Sequence, residues 1–247
     1  MAKFGYIFAF IVGVIVFNSC TQQPEFTSHQ SENFIIRQPE LKKAYGAYLA
    51  GRVAHLRKNF NVAADYYMEA LNEDPENKEL LGRVYVILAS KGRISEAAKY
   101  AEISLKKGDK NNFTYIIMAV DEMKKGRYEQ VNETVGHLDG PVYKEFIIPL
   151  MSAWAYAGLN QPDKALKTLA VLDKEPSFRA LYHFHAGMLN DYFDRTDEAR
   201  RHYEIIVNDE SMEMSFRSLQ VITNFYIRNG EKDKAVQLAT RYTDEKL

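Results

Sequence analysis

NVAADYYMEAL (61–71), SEAAKYAEISL (95–105), YEQVNETVGHL (128–138), PDKALKTLAVL (162–172), DEARRHYEIIV (197–207) and DKAVQLATRY (233–242) are six versions of one amphipathic segment. Aligned on a small central residue, Ala63, Ala97, Val131, Ala165, Ala199 and Ala235, they recur at spacings of 34, 34, 34, 34 and 36 residues. A fixed period of this length marks a stack of like supersecondary units, none of which can bury its apolar stripe alone. Five residues before each aligned position stands Gly92, Gly126 or Gly230, or else Lys58, Asn160 or Asp194. That position reads as the turn between two helices.

A helix-turn-helix unit of 34 residues resembles the tetratricopeptide repeat, or TPR. Residues 44–77 carry the family pattern best: Gly51 in the first helix, then Ala63, Tyr67, Ala70 and Pro75. Further units span 78–111, 112–145, 146–179 and 180–213, and a sixth, 216–247, follows a two-residue insertion. The resemblance implies an all-α fold, an α-solenoid of about six units wound as a right-handed superhelix over 40–247. Antiparallel helices approach closely only where side chains are small, which suits Gly51 and Gly187 on first helices against Ala63 and Ala199 on second helices. Tyr67 and Tyr203, one turn on, are expected to fill the space between neighbouring units. Acids early in the second helices (Glu96, Asp163, Asp197, Glu198, Asp233) oppose the positive helix end. The pattern erodes in the middle: Val131 and Val135 occupy the third unit, and Pro149 interrupts the fourth. Lacking an N–H, Pro149 predicts a first helix that starts near 149 or kinks there.

Upstream lies an address. Met1-Ala2-Lys3 is followed by an apolar run from Phe4 to Phe17 and then by polar residues, the layout of a secretory signal peptide over 1–19. The run is shorter than the ~20 residues that a membrane-spanning helix needs. Cys20, the one cysteine of the chain, stands just beyond it. That placement resembles a bacterial lipoprotein signal, although Phe17 and Asn18 depart from the usual residues. An ordinary cleaved signal or an uncleaved anchor remain open as alternatives. The resemblance implies a lipidated Cys20 and, with Thr21 rather than aspartate next, the periplasmic face of an outer membrane. Residues 20–39 read as a polar tether, in which Phe34-Ile35-Ile36 either begins the first helix or folds back on the body.

In the TPR family, first helices line a concave groove that holds peptides or helices. Transferred to this chain, the groove positions include Arg52, His55, Arg83, Val86, Phe113, Ile117, Val120, Met151, Trp154, Phe184 and Met188, cationic toward the N-terminal end and apolar in the middle. The positions of the two-carboxylate clamp hold Tyr48, Arg52, Arg83, Phe113 and Ile117, which argues against that partner class. An apolar groove suits an amphipathic helix, with Trp154 and Phe184 as anchors. The same residues read equally as packing inside a tightly wound superhelix. At the far end Val236, Leu238, Ala239 and Tyr242 are expected to seek cover from another subunit, a partner or a continuation of the chain.

Composition excludes more than it identifies. Lysine plus arginine number 32 and aspartate plus glutamate 33, for a net charge of −1, so there is no general electrostatic drive toward nucleic acid. One cysteine allows neither an internal disulfide nor a cysteine-based zinc site. No phosphate-binding loop, dinucleotide fingerprint, HExxH or nucleophile elbow occurs. His183 and His185 lie about 200° apart on a helix and cannot readily chelate one metal. Asp121-Glu122 and Asp197-Glu198 read as solvated helix faces or caps. The expectation is a protein-binding, non-catalytic scaffold without cofactor, exported to the bacterial envelope. The alternatives are a self-associating subunit joined through its C-terminal end and a fragment of a longer TPR protein.

Overall fold

The structure, a computed structural model, describes residues 39–246 apart from 210 and 213. The signal, Cys20 and most of the tether lie outside the described residues. Among the described residues twelve α-helices follow one another, divided between two compact units, Met1–Lys125 and Gly126–Leu247.

In the first unit the helices are α1 (Pro39–Leu56), α2 (Phe60–Glu73), α3 (Lys78–Ser90), α4 (Ile94–Lys106) and α5 (Asn112–Lys124). Each packs on the one before it. The first helix begins at Pro39, ahead of the repeat start at 44, because proline is well suited to an opening helical turn. A Cβ added to Gly51 would lie 2.6 Å from the Tyr67 ring. Tyr67 therefore fills the space opened by the glycine of its own pair, not only space between neighbouring units. Asn77 and Asn111, one period apart, each cap a first helix by accepting the amide three residues on, at 3.0 Å. Asp121 is buried, against expectation. It accepts from Ser95 Oγ at 2.7 Å and pairs with Lys125, so it pins α5 to the start of α4 instead of facing water.

The second unit contains α6 (Tyr128–Val135), α7 (Ile148–Gly158), α8 (Pro162–Leu169), α9 (Arg179–Tyr192), α10 (Thr196–Asn208), α11 (Phe216–Arg228) and α12 (Lys232–Lys246). α7 starts at Ile148 with Pro149 in its first turn, as the proline implies, but the chain is already wound ahead of it. Helical winding begins at Pro141 and passes through a π-turn, Tyr143–Ile147, in which the Ile148 amide reaches back to Tyr143 O. The wider turn accommodates the missing proline donor just downstream. Gly187 repeats the arrangement of Gly51: its Cβ would run into the Tyr203 ring, and Tyr203 also reaches Phe225 of the next pair. A third close approach, Gly158 on the Tyr128 ring, carries no signal in the repeat alignment.

The six turns share one conformation. Lys58, Gly92, Gly126, Asn160, Asp194 and Gly230 all have φ between 56° and 80°. In five of them the following amide bonds a carbonyl five residues back, as in Asn59 to Ala54 and Arg195 to Asn190, the pattern of a helix closed by a left-handed residue. Two residues further on, each second helix starts. Its small central residue is buried in every pair.

Candidate interaction surfaces

A helix of 3.6 residues per turn brings Tyr45, Leu49, Val53 and Leu56 onto one face of α1. That face points outward: these side chains are 48, 61, 47 and 76% exposed. The opposite face, Ala44, Ala47, Gly51 and Ala54, is small and buried on the pair's interior. Arg52 and His55 are exposed beside the apolar stripe, and Arg52 has no ion-pair partner among the described residues. Arg83 on α3 is half-buried. Its terminal nitrogen holds Glu79 at 2.8 Å, while its Nε is buried without a partner. His55 packs against Phe60 and Tyr67. Burial, followed by the nearby charges of Arg83 and Arg52, pushes its pKa down. The first two pairs thus present an apolar stripe edged by cationic groups.

The remaining groove candidates behave otherwise. Ile117 and Val120 on α5 are buried within the first unit, and Phe113 is half-buried. In the second unit Met151 and Trp154 on α7 and Phe184 and Met188 on α9 are buried as well. Trp154 is not a free anchor: its Nε1 donates to His185 Nδ1 at 3.0 Å. The burial of six of these side chains favours the core-packing alternative over an open groove.

The histidines of α9 and α10 were not legible as a group. His183 and His202, on α9 and α10, bring their Nδ1 atoms to 2.9 Å, and Tyr182 packs against both rings. Burial lowers both pKa values, and the adjoining His183 helps push His202 down to about 4. Burial alone pushes His185 down to about 3. All three are neutral imidazoles at pH 7. Among the described residues no group of three or more histidine, cysteine or acidic side chains is placed to hold a metal ion.

At the C-terminal end, Leu238 is buried and only Val236 of the apolar quartet is well exposed, at 65%. A cleft of about 520 Å³ lies among α10, α11 and α12, lined by Val207, Tyr226 and Leu238 as well as by Glu204, Lys234 and Arg241. Lys234 pairs with Glu204 across it and Arg241 donates to Val207 O. Among the described residues no helix is long and apolar enough to cross a membrane.

No family model matches the sequence, and no curated protein matches it either. Solved structures do match. A tetratricopeptide repeat protein from Parabacteroides merdae ATCC 43184 aligns with 14% identity and a TM-score of 0.60, covering 83% of this chain and 80% of that one. MamA from Desulfovibrio magneticus RS-1 aligns with 18% identity and a TM-score of 0.57, covering 70% of this chain and 98% of its own. YrrB, described as a TPR protein with an unusual peptide-binding site, aligns with 15% identity and a TM-score of 0.51, covering 65% and 83%. The fold is that of TPR proteins.

Proposed function

We propose that this chain is a non-catalytic interaction scaffold of the bacterial envelope, held there through an exported and lipidated Cys20, and that it receives a protein partner on its first two helix pairs. One observation carries the reading: the exposed stripe Tyr45, Leu49, Val53 and Leu56 lies beside Arg52, which has no ion-pair partner among the described residues. Burial of such a stripe drives association, and the guanidinium at its edge selects an acidic group on the partner. The matching partner is an amphipathic segment with an apolar face and at least one carboxylate. Support for a peptide-like occupant comes from the likeness in fold to YrrB. The burial of Leu238 weighs against self-association through that end of the chain.

Photo-crosslinking in cells tests this reading. A crosslinker at Leu49 or Leu56 is expected to trap a partner, and one at Met151 none; adducts from Met151 alone would overturn it. A homodimer adduct at Leu49 would favour the self-associating subunit. Mass spectrometry of the mature N-terminus tests the anchor separately: an acylated cysteine is expected, and an unmodified chain retaining Met1 contradicts it.

A further inference from the structure

We infer that His183 and His202 form an acid-sensitive latch, which holds α9 against α10 while the two rings share one proton and lets go when both are charged. The geometry is that of a hydrogen bond. The ring centroids lie 5.2 Å apart and the Nδ1 atoms 2.9 Å apart, so the centroid separation exceeds the nitrogen separation by about two ring radii. The two nitrogens therefore face each other nearly in line, where one proton satisfies both as donor and acceptor. A chelated metal would need both lone pairs to converge on a point off that line. The site fits a proton.

The charged groups that act on the rings are few. Asp173 approaches from the 3₁₀ turn Ala170–Lys174, Arg179 from α9, Arg201 from α10 and Asp209 from the end of α10. Asp173 and Asp209 favour a second proton, and Arg179 and Arg201 oppose it. Among the described residues none of them bonds either ring. The other elements that meet α9 are α8, the turn Pro176–Phe178 and α11, whose Arg228 pairs with Asp191 of α9. One added proton leaves an imidazolium that still donates to the neutral ring, whereas protonation of both rings makes both nitrogens donors, aimed at each other with like charge.

The sign follows from the lowered pKa values. Below the ordinary histidine value of 6.5 the unfolded chain takes up protons that the latched state refuses. The contact is at full strength above about pH 6.5 and weakens as the pH falls toward 4. Release of α9 also reaches the core beyond it. His185, also on α9, accepts from Trp154 of α7, and a charged His185 cannot accept.

Trp154 is the sole tryptophan, so its emission reports the opening. Titrated from pH 7.5 to 4, the wild-type chain is expected to shift from buried to exposed emission with a midpoint between 4 and 6.5. Amide protection should be lost first in α9 and α10. His202→Asn, neutral at every pH, is expected to move the midpoint down by at least half a pH unit. An identical midpoint in that variant, no shift before pH 4, or simultaneous loss of protection in α2–α4 would each overturn the latch. Should His202→Asn not fold at pH 7, histidine titrations of the wild type by NMR decide instead. Depressed, mutually dependent values for His183 and His202 are expected, and two independent titrations near 6.5 would contradict the proposal.

Discussion

The first and fifth helix pairs are built on one plan and put it to opposite uses. Both set a glycine of the first helix under a tyrosine of the second, Gly51 under Tyr67 and Gly187 under Tyr203. Both turn at a left-handed residue that is not glycine, Lys58 and Asp194. Yet α1 leaves its outer stripe in water, whereas α9 buries eight consecutive residues from His183 to Asn190. A shared interior fixes the pair and leaves the outer face of the first helix free to serve as a surface or as core. The burden of polar groups differs in step. The open pair carries charged Arg52, and the closed pair carries imidazoles held neutral by burial.

Substitutions can break this contrast. Trp154→Ala should cost the largest amount, about 3–5 kcal/mol, because it empties a packed site and strips His185 of its donor. Thermal or denaturant unfolding checks this, and a loss under 1 kcal/mol would mean that the tryptophan is not in the core. Gly187→Ala forces a methyl group into the Tyr203 ring and is expected to cost about 1–3 kcal/mol, with Gly51→Ala similar. Moving from pH 7 to 5 should cost on the order of 1–3 kcal/mol through the neutral histidines, a range that discounts the partly exposed His202. The test is the slope of unfolding free energy against pH, which should be steeper in wild type than in His202→Asn. Lys58→Gly should instead stabilise by about 1 kcal/mol, since it relieves a side chain held at φ 59°. A lower melting midpoint would show that the turn is not left-handed in solution. Leu49→Ser is expected to change stability least, within about 0.5 kcal/mol, while reducing partner capture; a large loss of stability would place α1's stripe in the core.

Much of the fold could be read from the sequence. The period of 34 carried the pair boundaries, and the turn positions were marked even where glycine is absent, because the alignment and not the residue type located Lys58, Asn160 and Asp194. The surface was harder. Periodicity says that Ile117, Met151 and Phe184 lie on a first-helix face, but it does not say how deeply neighbouring chain covers that face. His183 and His202 are nineteen residues apart on two helices, so only the pairing of those helices brings their nitrogens together. The π-turn before Pro149 was hidden for another reason: proline announces a lost hydrogen bond, not how the preceding turn adjusts. Leu238 looked unpartnered because its burial depends on α12 folding back over α11.

Thiol accessibility tests the contrast between open and closed pairs most directly. In a chain carrying Cys20→Ser, single cysteines replace Leu49 and Met188 in turn and are exposed to a thiol reagent under native conditions at pH 7.5. The account predicts that the thiol at 49 reacts about as fast as in the unfolded chain, and that the one at 188 reacts at least a hundredfold more slowly until denaturant is added. Equal native rates at the two positions would contradict it.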